Sequence, residues 1–196
     1  MKIGRESKNT ARKLAKDIFT IPNAITLTGG VLAWRGAEKL DSTRSIALLA
    51  GGRSLDVIDG FVARLTGQTS DIGAALDAVG DKLVMIKTLY EMHKQGAAPE
   101  AILGTIATLN TVNFLATGIT NIRSKEKGET RPTKSGKLAM AGETATLIAY
   151  AAAHAAEHSD RPKTAKVLRS LGTAAFAASL PPALHASAQY VHRAIK

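Results

Sequence analysis

The sequence predicts an all-α protein, built as a bundle of six membrane-spanning helices. Hydrophobic residues make up 45% of the 196 residues but aromatic residues only 4%, a composition that favours helices packed through small side chains. Ala101–Ile122 and Ser170–Val191 are 22-residue stretches without Asp, Glu, Lys or Arg, and about 20 apolar residues suffice to cross a bilayer. Arg44–Leu65 and Gly73–His93 keep helical apolar spacing although they contain charges.

Polar loops separate the helical patterns and place the helix ends. At 196 residues the chain has the length of one domain, which we expect over residues 18–196. Its six helices are predicted at residues 18–37, 43–65, 73–94, 98–122, 136–157 and 165–193.

Residues 1–17 are charged and lack the apolar core of a signal peptide. Four basic residues alternate there with Ala and Leu, which predicts a basic amphipathic helix lying on an anionic membrane face. A solvated tail is the alternative. These four basic residues are Lys8, Arg12, Lys13 and Lys16.

The formal charge of +10 calls for an anionic partner: nucleic acid, a membrane face or a phosphorylated substrate. The absence of cysteine excludes disulfides and thiolate metal sites. Six crossings place both termini on one side, together with the basic loop 123–136, and the positive-inside rule makes that side cytoplasmic. Basic residues within 157–169 reduce this asymmetry. We therefore expect a multi-pass plasma-membrane protein whose active site faces the cytoplasm.

Four aspartates lie on two neighbouring predicted helices. Asp56 and Asp59 are three residues apart on the second helix, and Asp77 and Asp81 are four apart on the third, so each pair shares a helix face. A buried aspartate in a membrane helix costs about 2.5–3.5 kcal/mol on insertion scales, and divalent cations would compensate for it. Carboxylates without Cys or clustered His favour Mg²⁺ or Mn²⁺, as a pair of ions. The alternative is a solvated face on which basic residues pair with the aspartates: Arg53, Arg64 and Lys82.

Eight residues across 26 positions resemble the signature of the CDP-alcohol phosphotransferase family: Asp56, Asp59, Gly60, Ala63, Arg64, Gly73, Asp77 and Asp81. The family's six-helix membrane domain also agrees with the helix count. The resemblance implies that the four aspartates hold two Mg²⁺ or Mn²⁺ ions and that Asp81 is the general base on the acceptor hydroxyl. It implies a CDP-diacylglycerol donor, a small alcohol acceptor, a lipid bilayer and a homodimer as partners. Nucleotide and CDP-lipid contacts would come from Pro22, Asn23, Gly60, Ala63, Arg64, Ser70 and Gly73.

Three basic residues at the start of the fifth helix, Arg131, Lys134 and Lys137, are candidates for binding a phosphate on the acceptor. Gly136-Lys137 resembles family members that use glycerol 3-phosphate and make phosphatidylglycerophosphate, in which Thr and Gln are commoner at the positions of Met140 and Glu143. Glycerol 3-phosphate is the preferred acceptor, and inositol phosphate is the alternative.

Other classes fit less of the pattern. A membrane prenyltransferase also holds magnesium diphosphate between aspartate motifs, but the Gly60, Ala63 and Arg64 spacing does not belong to it. A non-enzymatic scaffold or channel would not need those residues. A basic nucleic-acid binder explains the charge but no recognition motif is evident in the sequence, so no nucleic-acid partner is expected.

Overall fold

The computed structural model describes residues 20–67, 71–123 and 132–196, which form six helices and no strand. The all-α prediction is confirmed, and the predicted helix ends agree with the observed ones to within three residues. The segment 1–17 lies outside the described residues. The helices are α1 Ile21–Glu38, α2 Thr43–Thr66, α3 Asp71–Lys94, α4 Glu100–Arg123, α5 Lys134–His158 and α6 Pro162–Ile195.

Capping residues set several helix ends. Thr20 accepts a hydrogen bond from the Asn23 amide at 3.3 Å before α1, and Thr133 accepts one from the Gly136 amide at 3.0 Å before α5. Gly67 follows α2 with a φ of 64°, a left-handed conformation that favours glycine. Pro162 occupies the first turn of α6, where its missing N–H costs nothing. This helix therefore begins three residues earlier than the expected position 165.

The chain divides into two compact units. The first contains residues up to Lys39 and Arg44–Thr88; its described part comprises α1, α2 and most of α3. Glycines bring α1 and α2 together: a Cβ on Gly29 would lie 2.9 Å from the Gly52 carbonyl oxygen, and a Cβ on Gly52 would lie 2.8 Å from the Ala33 Cβ. Small residues thus let the two backbones approach closely.

The second unit contains Leu40–Thr43 and Leu89–Lys196, in which α6 packs along α5 and also contacts α4. Alanines and small polar residues make up much of its interior, beside larger apolar ones such as Ile106 and Leu147. A Cβ on Gly142 would lie 2.5 Å from the Ser179 Cβ, and one on Gly172 would lie 2.8 Å from the Tyr150 ring. The close packing predicted from the small-residue composition is therefore present here too.

Every described helix exposes large apolar side chains, and the interior also contains some polar ones. Phe114, Leu115 and Ile119 on α4 are exposed, while other large apolar residues such as Ile106 are buried. Thr146 on α5 is fully buried and Glu143 is only 5% exposed. Exposed large apolar residues on every described helix, together with buried polar ones, depart from the usual pattern of a water-soluble protein.

Among the described helices, one is long and apolar enough to cross a membrane: Glu100–Arg123, with a mean hydropathy of 1.4. It contains the expected span Ala101–Ile122. The other expected span, Ser170–Val191, is helical within α6, but that helix does not reach the same hydropathy.

Candidate metal centre

Three carboxylates from two helices of the first unit converge on one point. Asp56 and Asp59 lie one turn apart on α2, and Asp77 comes from α3. One oxygen of each lies within 4.8 Å of the others. Asp59 is only 4% exposed, and the other two are partly buried. The helix spacing seen in the sequence therefore does bring carboxylates of both helices together.

This group can hold a divalent metal ion. Three carboxylates at such short range repel one another, and partial burial reduces the screening that water would supply. Carboxylate oxygens are the ligands that Mg²⁺ and Mn²⁺ prefer. The residues present thus fit the cation that the sequence analysis expected, in the donor type and in the convergence of the ligand atoms.

Thr26 on α1 orients the most buried of these carboxylates. Its hydroxyl lies 2.5 Å from Asp59 Oδ2 and 3.1 Å from the Pro22 carbonyl oxygen. A hydroxyl has one proton, and the nearer, charged acceptor receives the stronger bond. No local sequence pattern indicates this contact, because it joins residues 33 positions apart.

Asp81 lies outside the three-carboxylate group and pairs with an arginine. It accepts a hydrogen bond from Arg53 on α2, and the two side chains form an ion pair. The same guanidinium nitrogen lies 3.9 Å from Asp56 Oδ2. Arg53 therefore connects Asp81 to the three-carboxylate group. The sequence suggested Arg53 only as a counter-charge on a solvated face, yet its side chain is 10% exposed.

The remaining predicted nucleotide contacts follow the helices of the first unit. Gly60 and Ala63 lie on α2 beyond Asp59, and Gly73 lies one turn before Asp77 on α3. Pro22 and Asn23 lie in the first turn of α1. The backbone of Arg64 belongs to α2 while its side chain, like all of Ser70, lies outside what the structure describes. The roles of these residues stay predictions.

The predicted acceptor-phosphate residues belong to the second unit. Lys134 and Lys137 are exposed and lie in the first turn of α5, and Arg131 lies outside the described residues. The Tyr190 hydroxyl accepts a hydrogen bond from the Thr133 amide at 3.2 Å, at the same helix end. Two lysines and the positive end of a helix together favour an anion.

Comparison with known proteins identifies the family of this chain. The model of the CDP-alcohol phosphatidyltransferases matches residues 19–181. A probable cardiolipin synthase (CMP-forming) from Drosophila melanogaster is 31% identical over 106 residues, which cover 52% of this chain and 33% of that relative. The aligned part thus spans about a third of the relative's length. No solved structure matches. The family model covers most of the chain, including every aspartate of the site, and the chain therefore belongs to the CDP-alcohol phosphatidyltransferase family.

Proposed function

We propose that this protein transfers a phosphatidyl group from CDP-diacylglycerol to an alcohol and releases CMP. The convergence of Asp56, Asp59 and Asp77 carries the proposal, because three carboxylate oxygens within 4.8 Å of one another form a site for the divalent ion that such a transfer requires. Enzymes of the matched family use divalent metal ions and CDP-linked alcohols. The product would enter phospholipid synthesis.

The proposed reaction is a substitution at the phosphorus nearest the lipid. The acceptor oxygen forms a bond to that phosphorus, the bond from phosphorus to the oxygen bridging to CMP breaks, and the hydroxyl proton passes to Asp81. Mg²⁺ or Mn²⁺ bound to the carboxylates, as two ions when all four aspartates take part, supplies charge neutralisation on the diphosphate. Asp81 suits the role of base because it lies outside the three-carboxylate group.

We assign the nucleotide to the part of α2 that is C-terminal to Asp59. Gly60 and Ala63 are small residues that share one face there, so a flat cytidine ring can approach the helix backbone. Arg64 follows on the same helix and would pair with a donor phosphate. Gly73, Ser70, Pro22 and Asn23 complete the proposed nucleotide and CDP-lipid site.

Glycerol 3-phosphate is the proposed acceptor. Lys134 and Lys137 place two positive charges in the first turn of α5, where the helix N-terminus also attracts an anion. An acceptor that carries its own phosphate makes use of all three features, with Arg131 as a further basic group. Inositol phosphate would use the same charges and is the alternative within this class.

A second phospholipid is the other candidate acceptor. The relative from Drosophila melanogaster is a probable cardiolipin synthase, and cardiolipin formation joins a phosphatidyl group to the free hydroxyl of another phospholipid. The phosphate of such an acceptor is a diester, which carries less charge than the phosphate monoester of glycerol 3-phosphate. Its binding would therefore depend less on Lys134 and Lys137. The acceptors are therefore separable by experiment.

We place the protein in the plasma membrane, as a multi-pass homodimer with its site facing the cytoplasm. The helices expose large apolar side chains and bury several polar ones, which suits a hydrocarbon solvent. α4 is apolar and long enough to cross. The membrane solvates the exposed residues, and the buried Asp, Glu and Thr side chains stay within the helix bundle.

The test is acceptor-dependent CMP release by the full chain purified in detergent. Mn²⁺ or Mg²⁺ and CDP-diacylglycerol are supplied with glycerol 3-phosphate, inositol phosphate or phosphatidylglycerol in separate reactions. We expect release with glycerol 3-phosphate, loss of release in Asp81→Asn, and normal release in Asp160→Asn. Asp160 is an exposed loop residue with a φ of 55°, a conformation that Asn tolerates.

Each outcome decides a separate part of the proposal. If CMP is released with phosphatidylglycerol and with neither of the other acceptors, the proposed transferase activity stands and the proposed acceptor is wrong. For glycerol 3-phosphate, Lys137→Gln should raise the KM of the acceptor and leave the KM of CDP-diacylglycerol unchanged, because the lysine would contact only the acceptor phosphate. Absence of CMP release with all three acceptors and both metals would overturn the proposed activity.

A further inference from the structure

Arg53 lies between the residue proposed as the base and the residues proposed to hold the metal. Its guanidinium pairs with Asp81 Oδ1 and lies 3.9 Å from Asp56 Oδ2. Both Arg53 and Asp81 are largely withdrawn from solvent, with side-chain exposures of 10% and 13%. A guanidinium is charged at every physiological pH, so Arg53 is a permanent cation inside the carboxylate site.

A cation in this position affects how the aspartates bind any other cation. It neutralises part of the negative potential that attracts a metal ion, and it occupies an oxygen of Asp81 that a metal or an acceptor proton would also need. In a partly buried site these effects are larger than in water, because the effective dielectric constant is lower. Arg53 and a divalent ion therefore compete for Asp81.

Arg53 and Asp81 line a cleft between α1, α2 and α3 that is bordered by Gly29, Gly30 and Gly80. A Cβ on Gly80 would meet no described heavy atom within 4 Å, and the described atom nearest to a Cβ on Gly30 belongs to the Val84 side chain, at 3.9 Å. A phosphate group at the mouth of this cleft would lie next to the guanidinium.

We propose that Arg53 is the internal counter-ion of the carboxylate site: it holds Asp81 until the metal and the diphosphate donor arrive, then releases Asp81 and pairs with the donor phosphate. This rests on the proposed function. Exchange of a carboxylate for a phosphate preserves a charge-assisted bond to the guanidinium throughout. Arg53 thus acts as a positioning residue for Asp81 and as a donor-binding residue.

The proposal predicts that removing the charge of Arg53 strengthens Mn²⁺ binding and weakens binding of the donor. Arg53→Gln and Arg53→Met should each bind Mn²⁺ about tenfold more tightly, because a competing charge a few ångströms away is lost. The same variants should raise the KM for CDP-diacylglycerol by about tenfold, since a charge-assisted bond to phosphate is lost. Arg53→Lys keeps the charge and should stay within about threefold of wild type for Mn²⁺.

The experiment measures the Mn²⁺ dissociation constant of the full chain in detergent by calorimetry, without substrate, and the KM for CDP-diacylglycerol separately. Arg44→Gln is the matched control, because it removes one positive charge from an exposed position on the same helix and should change neither quantity. Using two neutral variants guards against one that fails to fold, and size-exclusion chromatography identifies the folded one.

The result that overturns the proposal is a folded neutral variant that binds Mn²⁺ with wild-type affinity or more weakly, since a purely structural arginine would weaken or leave unchanged metal binding. That failure is distinct from failure of the proposed function. In the latter case wild-type protein would bind no Mn²⁺ or release no CMP, whatever residue occupies position 53.

Discussion

Thr26→Val tests whether the carboxylate site depends on a residue of a neighbouring helix. Valine keeps the shape of threonine and replaces the hydroxyl with a methyl group. The substitution removes the hydrogen bond to Asp59 Oδ2, while Asp59 stays almost fully buried at 4% exposure. A buried carboxylate oxygen then loses a donor that water cannot readily replace.

The size of the effect follows from the partner's charge and burial. A hydrogen bond to a charged group contributes about 1.5–3 kcal/mol. Loss of a residue that orients a metal ligand costs about 10–100-fold in metal affinity, which corresponds to roughly 1.4–2.8 kcal/mol. The two ranges agree, so we expect Thr26→Val to weaken Mn²⁺ binding by about 10–100-fold.

The assay is a Mn²⁺ binding isotherm of purified protein, with Thr28→Val as control. Thr28 lies on the same helix, is exposed, and donates its hydroxyl to the Ala24 carbonyl at 2.7 Å. Thr26→Ser, which restores a hydroxyl, should recover most of the affinity. Equal Mn²⁺ affinity in Thr26→Val and Thr28→Val would refute the idea that Thr26 orients Asp59.

Two further predictions concern the metal ligands and the helix packing. Asp77→Asn should abolish both Mn²⁺ binding and CMP release. Asp81→Asn should abolish release but retain Mn²⁺ at the three-carboxylate group, because Asp77 belongs to that group and Asp81 lies outside it. Calorimetry beside the CMP assay separates the two variants, and loss of all Mn²⁺ binding in Asp81→Asn would count against this division. Gly51→Ala should stabilise the protein by up to about 1 kcal/mol through helix propensity, since no described atom lies within 4 Å of the added Cβ. Gly52→Ala should destabilise the protein because the Cβ would press on Ala33. Thermal unfolding in detergent would show these opposite shifts, and a Gly52→Ala protein as stable as wild type would contradict the close helix contact.

The helices and most of the metal ligands could be predicted from local sequence. Apolar spacing and the loops between helices place all six described helices, because helix periodicity is a property of consecutive residues. Asp56 and Asp59 share a face for the same reason, and the short connection from α2 to α3 brings Asp77 alongside. The absence of charges did not suffice to predict the second span, Ser170–Val191. This stretch of α6 has no Asp, Glu, Lys or Arg, but its mean hydropathy is too low for it to count as a membrane-spanning helix.

The sequence by itself determined the all-α class, the helix ends and the aspartate signature, because these depend on residues at most a few turns apart or on a motif contained in one helix pair. Only the tertiary structure decided that Thr26 bonds Asp59 and that Arg53 pairs with Asp81. Those partners are 33 and 28 residues apart and come from different helices. Their meeting depends on how the backbones pack, which no local periodicity encodes. The close contact of Gly29 and Gly52 brings α1 against α2 and so permits the first of these pairs.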